Sequence, residues 1–130
     1  MMNQISVLLA DDSEVMRRAI RQLLEDQPEI TLVGEATGFA QTIQMTQELK
    51  PKVVILDLHM KDQSASETEV VKIQLNRCES RIVAISLAND AETKELARSV
   101  GAFTLLDKMN LADDLIPTIK RCASWSPNAA

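Results

Sequence analysis

The chain has 130 residues, 45% apolar and 25% charged, which suits one domain with a core of its own and excludes a disordered or low-complexity chain. Its 19 acidic side chains outnumber 14 basic ones, for a net charge of −5, so DNA binding by this chain alone is not expected, since duplex binders cluster cations to displace phosphate counterions. The longest apolar runs are too short to span a bilayer, Met1-Met2-Asn3-Gln4 carries no basic signal, and Cys78 and Cys122 make neither a disulfide framework nor a zinc site; a reduced, cytoplasmic domain without membrane contact is expected.

The first strand is expected over residues 5–10, running into Asp11-Asp12. Val15, Met16, Ala19, Ile20, Leu23 and Leu24 then recur at helical spacing as far as Gln27-Pro28. A short strand at 31–33 precedes a weaker helix from Gly38 to Leu49, closed by Lys50-Pro51. The third strand, 52–56, is apolar without alternation, as befits a strand covered on both faces, and it leads to Asp57. Residues 64–75 carry two overlapping capping boxes, Ser64 with Glu67 and Ser66 with Glu69. The fourth strand, 81–85, leads to Ser86, and a helix over 90–100 stops at Gly101. The fifth strand, 103–106, leads to Asp107-Lys108. Leu111, Leu115, Ile119 and Cys122 mark a last helix, in which Pro117 implies a late start or a bend.

Five strand-then-helix units predict an α/β fold with a parallel sheet covered on both faces. The flavodoxin-like (βα)5 order 2-1-3-4-5 is the natural arrangement for five strands. Residues 1–124 form this domain, and 125–130 are a tail or the beginning of a linker. A functional site belongs at the carboxyl ends of the strands, where Asp11, Asp12, Asp57, Ser86 and Lys108 would converge.

Taken singly, each of these residues has a plainer role. Asp11-Asp12-Ser13 suits a helix cap, a lone Asp after a strand suits a loop, and a lone Lys suits the solvated surface. Their joint occurrence at strand ends argues for chemistry. Three crowded carboxylates repel one another and call for a cation, and hard oxygen donors suit Mg²⁺ or Mn²⁺. Three carboxylates, a divalent ion and the Lys108 ammonium sum to zero formal charge, so a phosphoryl group can enter at modest electrostatic cost. A carboxylate can accept that group as an aspartyl phosphate.

Val7-Leu8-Leu9-Ala10-Asp11-Asp12, Val53-Val54-Ile55-Leu56-Asp57-Leu58-His59-Met60, Ile82-Val83-Ala84-Ile85-Ser86 and Gly101-Ala102 leading to Lys108 resemble the receiver domain of bacterial two-component response regulators. The resemblance spans about residues 5–123. It implies that Asp57 accepts a phosphoryl group from a sensor histidine kinase or phosphotransfer protein. It implies Mg²⁺ on Asp11, Asp12, Asp57 and the main-chain carbonyl of His59. Ser86 and Lys108 would contact the phosphoryl group, Leu105 occupies the switch position, and His59 and Ala88 would tune hydrolysis. Such a module catalyses only its own phosphorylation and slow self-dephosphorylation. Its output is a protein interaction, a homodimer among them, or control of transcription. Leu32-Val33-Gly34-Glu35-Ala36 resembles the receivers that precede helix-turn-helix domains.

The chain departs from that pattern at four places. Lys61 stands where a proline is common, Ala65 where a glycine is usual, Leu87 where a small residue follows the switch hydroxyl, and Leu105 where an aromatic ring is usual. Phe103, two residues before Leu105, is expected to point to the same face. Leu87 and Leu105 favour an alternative, a degenerate receiver that serves as a constitutive interaction module. For His59, the lone histidine, an inert loop residue is the plainer role. A haloacid-dehalogenase-like phosphatase would place a second Asp where His59 stands. A flavodoxin would not place Asp11-Asp12 at its phosphate loop.

Overall fold

The computed structural model describes residues 4–61 and 75–125. The expected helix with its capping boxes at Ser64 and Ser66, and Ala65 within it, lie outside the described residues except for a helical end at 75–77. Five parallel strands form the sheet: β1 (Ile5–Ala10), β2 (Ile30–Ala36), β3 (Val53–Asp57), β4 (Arg81–Ser86) and β5 (Thr104–Asp107). Their order is β2-β1-β3-β4-β5, with every neighbouring pair parallel. β1 and β3 are therefore adjacent, which places the ends of the strands that carry Asp11 and Asp57 side by side.

The uninterrupted apolar runs of β1, β3 and β4 have a direct structural counterpart. Successive residues of a strand point to opposite faces, and both faces are packed. Val7, Leu9, Val53, Ile55, Val83 and Ile85 fill one core with Ile20, Leu24, Leu115 and Ile119. Leu8, Ala10, Val54, Leu56, Ile82 and Ala84 fill the other with Phe39, Ala97 and Val100. Each Leu or Ile fully buried in this way contributes roughly 1.5–3 kcal/mol.

Helix α1 (Glu14–Glu25) starts at Ser13, whose hydroxyl accepts the Met16 N–H at 3.2 Å. It buries Ile20 and Leu24 and half-buries Met16 and Leu23, whereas Val15 and Ala19, grouped with them by spacing, are exposed. The buried stripe is thus narrower than the sequence suggests. Helix α2 (Phe39–Leu49) buries two threonines, each returning its hydroxyl to the preceding turn: Thr42 to Gly38 O at 2.6 Å and Thr46 to Thr42 O at 2.7 Å. Lys50, at φ 48°, ends it. β2 is longer than its apolar core implied, and at Gly34 a side chain would meet Met45 and Leu49 of α2, so the helix rests on the strand backbone.

Helix α3 (Ala91–Ser99) is capped by Asp90, which accepts the Thr93 N–H at 2.8 Å, and stops before Gly101 at φ 77°. A single 3₁₀ turn (Lys108–Asn110) leads into helix α4 (Leu111–Ser124). Pro117 does not delay the start of α4; the helix begins at Leu111 and continues through it. The side chains of Leu111, Leu115, Ile119 and Cys122 hold that helix against the sheet.

Arg81 closes the far end of α4. Its guanidinium donates to the main-chain carbonyls of Cys122 (2.9 Å) and Trp125 and lies 5.0 Å from the Trp125 ring centroid. The Phe103 ring meets Trp125 edge-on at 5.9 Å. Phe103 therefore packs on the α1/α4 side, opposite to Leu105, which packs against the core on the α2/α3 side. The same-face expectation fails because β5 begins at Thr104, and strand alternation does not extend back to residue 103.

Candidate functional site

At the carboxyl edge of the sheet, ligand oxygens of Asp11, Asp12 and Asp57 lie within 4.8 Å of one another. Asp11 follows β1 with its side chain fully buried, and Asp57, the last residue of β3, is 3% exposed. Asp12 sits at the rim, half-buried. Lys108 reaches over from the end of β5. Its Nζ is 2.8 Å from Asp11 Oδ2 and 3.4 Å from Asp57 Oδ1, and its side chain is only 8% exposed. One ammonium thus bridges two buried carboxylates.

Each acid also accepts a main-chain N–H. Asp11 Oδ1 takes that of Ser13 at 2.9 Å and Asp57 Oδ1 that of His59 at 3.1 Å, both local turns of two residues. Asp12 Oδ2 takes the N–H of Lys61 at 3.1 Å, from the loop after β3. At Asp57 the His59 bond favours the charged form, but burial outweighs it. Desolvation first, and the neighbouring Asp11 charge second, push the Asp57 carboxyl above its ordinary value, against the pull of the His59 N–H and Lys108.

Asp11 Oδ2 is buried and accepts no hydrogen bond of good geometry; the nearby Lys108 charge is its compensation. A buried carboxylate oxygen with a spare lone pair, in a set of hard oxygen donors, fits a divalent cation such as Mg²⁺. The donor set contains no thiolate or imidazole that would favour a softer metal.

Ser86 ends β4 one residue beyond Ile85, the partner of Asp57 across the sheet. It is 1% exposed, and its hydroxyl accepts the Ala88 N–H at 3.0 Å, which shapes the loop after β4. The side chain of His59 is exposed, and Ala88 is half-buried. Leu87 is 67% exposed, so its bulk faces outward from the loop. Leu105 is half-buried in β5, opposite Ala84.

The sequence reading missed two contributors. Arg17 donates to the main-chain carbonyl of Asp11 at 2.7 Å. It is held in turn by Glu35 of β2 at 3.3 Å, whose two oxygens also take Arg21 at 2.8 and 2.9 Å. Hydrogen bonding to Arg21, then the charges of both arginines, hold the Glu35 carboxyl below the usual range. An acid in a half-buried strand and an arginine six places after Asp11 are the only traces of this network in the sequence. The second contributor, the Lys61 N–H, is main chain and leaves no trace at all.

Residues 7–120 match the family model described as the response regulator receiver domain. Among curated proteins, the chain is 33% identical over 119 residues to the nitrate/nitrite response regulator protein NarL of Escherichia coli, covering 92% of this chain and 55% of that one. It is 28% identical over 124 residues to the transcriptional regulatory protein LiaR of Bacillus subtilis, covering 95% and 58%. It is 32% identical over 127 residues to a protein-glutamate methylesterase/protein-glutamine glutaminase of Koribacter versatilis, covering 89% and 34%. The chain thus spans about half the length of the first of these relatives, and less of the methylesterase. Among solved structures, the response regulator domain of Thermotoga maritima CheB superposes with a TM-score of 0.83 at 24% identity, covering 96% of this chain and all of that one. The signal receiver domain of the putative response regulator NarL from Mycobacterium tuberculosis gives 0.84 at 20%, covering 95% and 99%. At those identities the two structures speak for the fold.

Proposed function

The chain belongs to the response regulator receiver family, and from that premise we propose that it is a phosphorylation-switched module with Asp57 as its phosphoacceptor. The observation that carries this reading is the buried Asp11–Lys108–Asp57 bridge beside Asp12. Such an arrangement holds a nucleophilic carboxylate next to the charges that phosphoryl transfer needs.

In this reading, Asp57 Oδ1 is held by the His59 N–H and Lys108, and Oδ2 is the attacking oxygen. It forms a bond to phosphorus while the bond from phosphorus to the donor breaks, the electron pair leaving with the donor's imidazole or carboxylate. Asp11, Asp12, Asp57 and the main-chain carbonyl of His59 would hold Mg²⁺, or Mn²⁺ in its place, which neutralises charge on the transferring group. Lys108 then gains a doubly charged partner at Asp57, and the Ser86 hydroxyl can donate to a phosphoryl oxygen. The exposed His59 and the half-buried Ala88, in the loops after β3 and β4, would set the access of hydrolytic water.

The phosphodonor would be a sensor histidine kinase or phosphotransfer protein in the cytoplasm, and the output a protein contact, a homodimer or a linked transcriptional domain. The domain would occupy residues 1–124, with 125–130 as tail or linker. Its catalysis would extend only to its own phosphorylation and dephosphorylation. Among the described residues no helix is long and apolar enough to cross a membrane. Incubation with acetyl phosphate and Mg²⁺ tests the reading: the intact mass should rise by one phosphoryl group, and a chelator should stop the rise. No gain with Mg²⁺ would overturn it.

A constitutive interaction module is the second reading, and Leu105 is the observation behind it. Leucine at this half-buried position has no ring to swing inward when Ser86 moves toward a phosphoryl group. Allosteric coupling is typically about 1–3 kcal/mol, and here the lower end is expected. The measurement is a titration with beryllofluoride, which mimics an aspartyl phosphate, read as chemical-shift changes across α3, β5 and α4. Leu105→Tyr should enlarge those changes. A wild type that already saturates, with no increase in the variant, would show that another group carries the switch.

A further inference from the structure

Of the three acids at the site, two are oriented from within their own turns, Asp11 by the Ser13 N–H and Asp57 by the His59 N–H. Asp12 is different. It is the most exposed of the three, Lys108 is paired with the other two, and the N–H that orients it comes from Lys61, 49 residues away. That bond joins the loop after β1 to the loop after β3. A rim carboxylate left to itself rotates freely and must lose that freedom to bind a cation.

We propose that the main-chain N–H of Lys61 is a positioning group for Asp12, and that it preorganises Asp12 for the divalent cation. The inference rests on the metal-assisted reading given above and extends it. An N–H on one oxygen of a carboxylate leaves lone pairs free for a metal, and partners of this kind orient metal ligands and raise affinity, commonly by 10–100-fold. The Lys61 bond lies at an exposed rim, so about tenfold is expected here. The group that acts is the N–H, and the ammonium on its side chain is incidental. By linkage, a bound cation in turn strengthens the bond, so metal binding fixes the start of the segment that follows β3.

Proline at this position removes the N–H, whereas alanine keeps it and removes only the ammonium. Mg²⁺ affinity of the full chain would be measured by calorimetry for wild type, Lys61→Ala and Lys61→Pro, with thermal stability recorded in chelator. A fourth protein, with an ester in place of the Lys61 amide, deletes the N–H without the proline ring and covers the case in which proline distorts the loop. Exchange of the Lys61 amide proton with solvent would be followed with and without Mg²⁺. The proline and ester proteins should bind Mg²⁺ about tenfold more weakly, alanine should bind within about twofold of wild type, and Mg²⁺ should slow exchange at Lys61. Equal affinities across the series would overturn the positioning role while leaving the metal site intact. Tighter binding by the ester protein, or faster exchange with Mg²⁺, would make the bond a competitor of the metal and overturn it too. Reduced stability in chelator with unchanged Mg²⁺ affinity would make the bond merely structural. No Mg²⁺ binding by wild type would overturn the metal reading itself, and this inference with it.

Discussion

Asp57→Asn is expected to abolish phosphorylation and, in the presence of chelator at neutral pH, to make the fold more stable than wild type. The two effects have one cause. Asp57 is 3% exposed and faces the buried Asp11, so its charged form is penalised first by desolvation and then by repulsion. Its folded-state value is raised, which means that ionising Asp57 costs more in the fold than in the unfolded chain. The cost is absent below the ordinary aspartate value, where the group is protonated in both states, and it is fully felt above the raised value. Asparagine keeps the shape and the oxygen that accepts the His59 N–H, and it removes the charge. A gain of about 1 kcal/mol, or a rise of roughly 3–5 °C in Tm, is expected. The gain should shrink as the pH falls into the ordinary carboxylate range. A variant that is less stable than wild type at neutral pH would mean that Lys108 outweighs the desolvation of Asp57.

Lys108→Ala carries the other large effect, with signs that separate stability from binding. Its Nζ bridges Asp11 and Asp57 inside a nearly buried site. Removing it leaves two buried anions facing each other, and breaking a buried ion pair from one side costs about 3 kcal/mol. In chelator, Tm should fall by roughly 10 °C. Mg²⁺ should bind at least about fivefold more tightly, because a competing cation has gone, and should restore most of the lost stability. The response of α3, β5 and α4 to beryllofluoride should nonetheless disappear, since no ammonium remains to follow the new charge. Weaker Mg²⁺ binding would place Lys108 among the groups that support the metal. A full response in the variant would remove it from the signalling path.

Much of the fold was legible because parallel strands buried on both faces leave a pattern that other structures rarely produce. Val53-Val54-Ile55-Leu56 and Ile82-Val83-Ala84-Ile85 contribute alternate residues to two different cores, and Asp57 and Ser86 follow where these strands end. Boundaries were harder to place. β2 has an exposed or half-buried stretch between Ile30 and Ala36, so its apolar signal covers only its middle. Pro117 lies on the exposed side of α4, where burial of Leu115 and Ile119 outweighs the hydrogen bond it removes. Alternation assigns Phe103 to the wrong face because a period of two means nothing outside the strand. Within the site, the identities of the acids and of Lys108 could be read, but the groups that orient them could not. The Lys61 N–H is common to nearly all residue types, and Arg17 acts on a carbonyl. Only the folded backbone brings such groups together.

The most direct test of Asp57 as the acceptor is chemical location of the phosphoryl group on the wild-type chain. After incubation with acetyl phosphate and Mg²⁺, borohydride reduction converts an aspartyl phosphate to homoserine, and peptide mass mapping finds the residue. Homoserine at position 57, with Asp11 and Asp12 unmodified, is the expected result. Homoserine at position 11 or 12, with Asp57 intact, would contradict it.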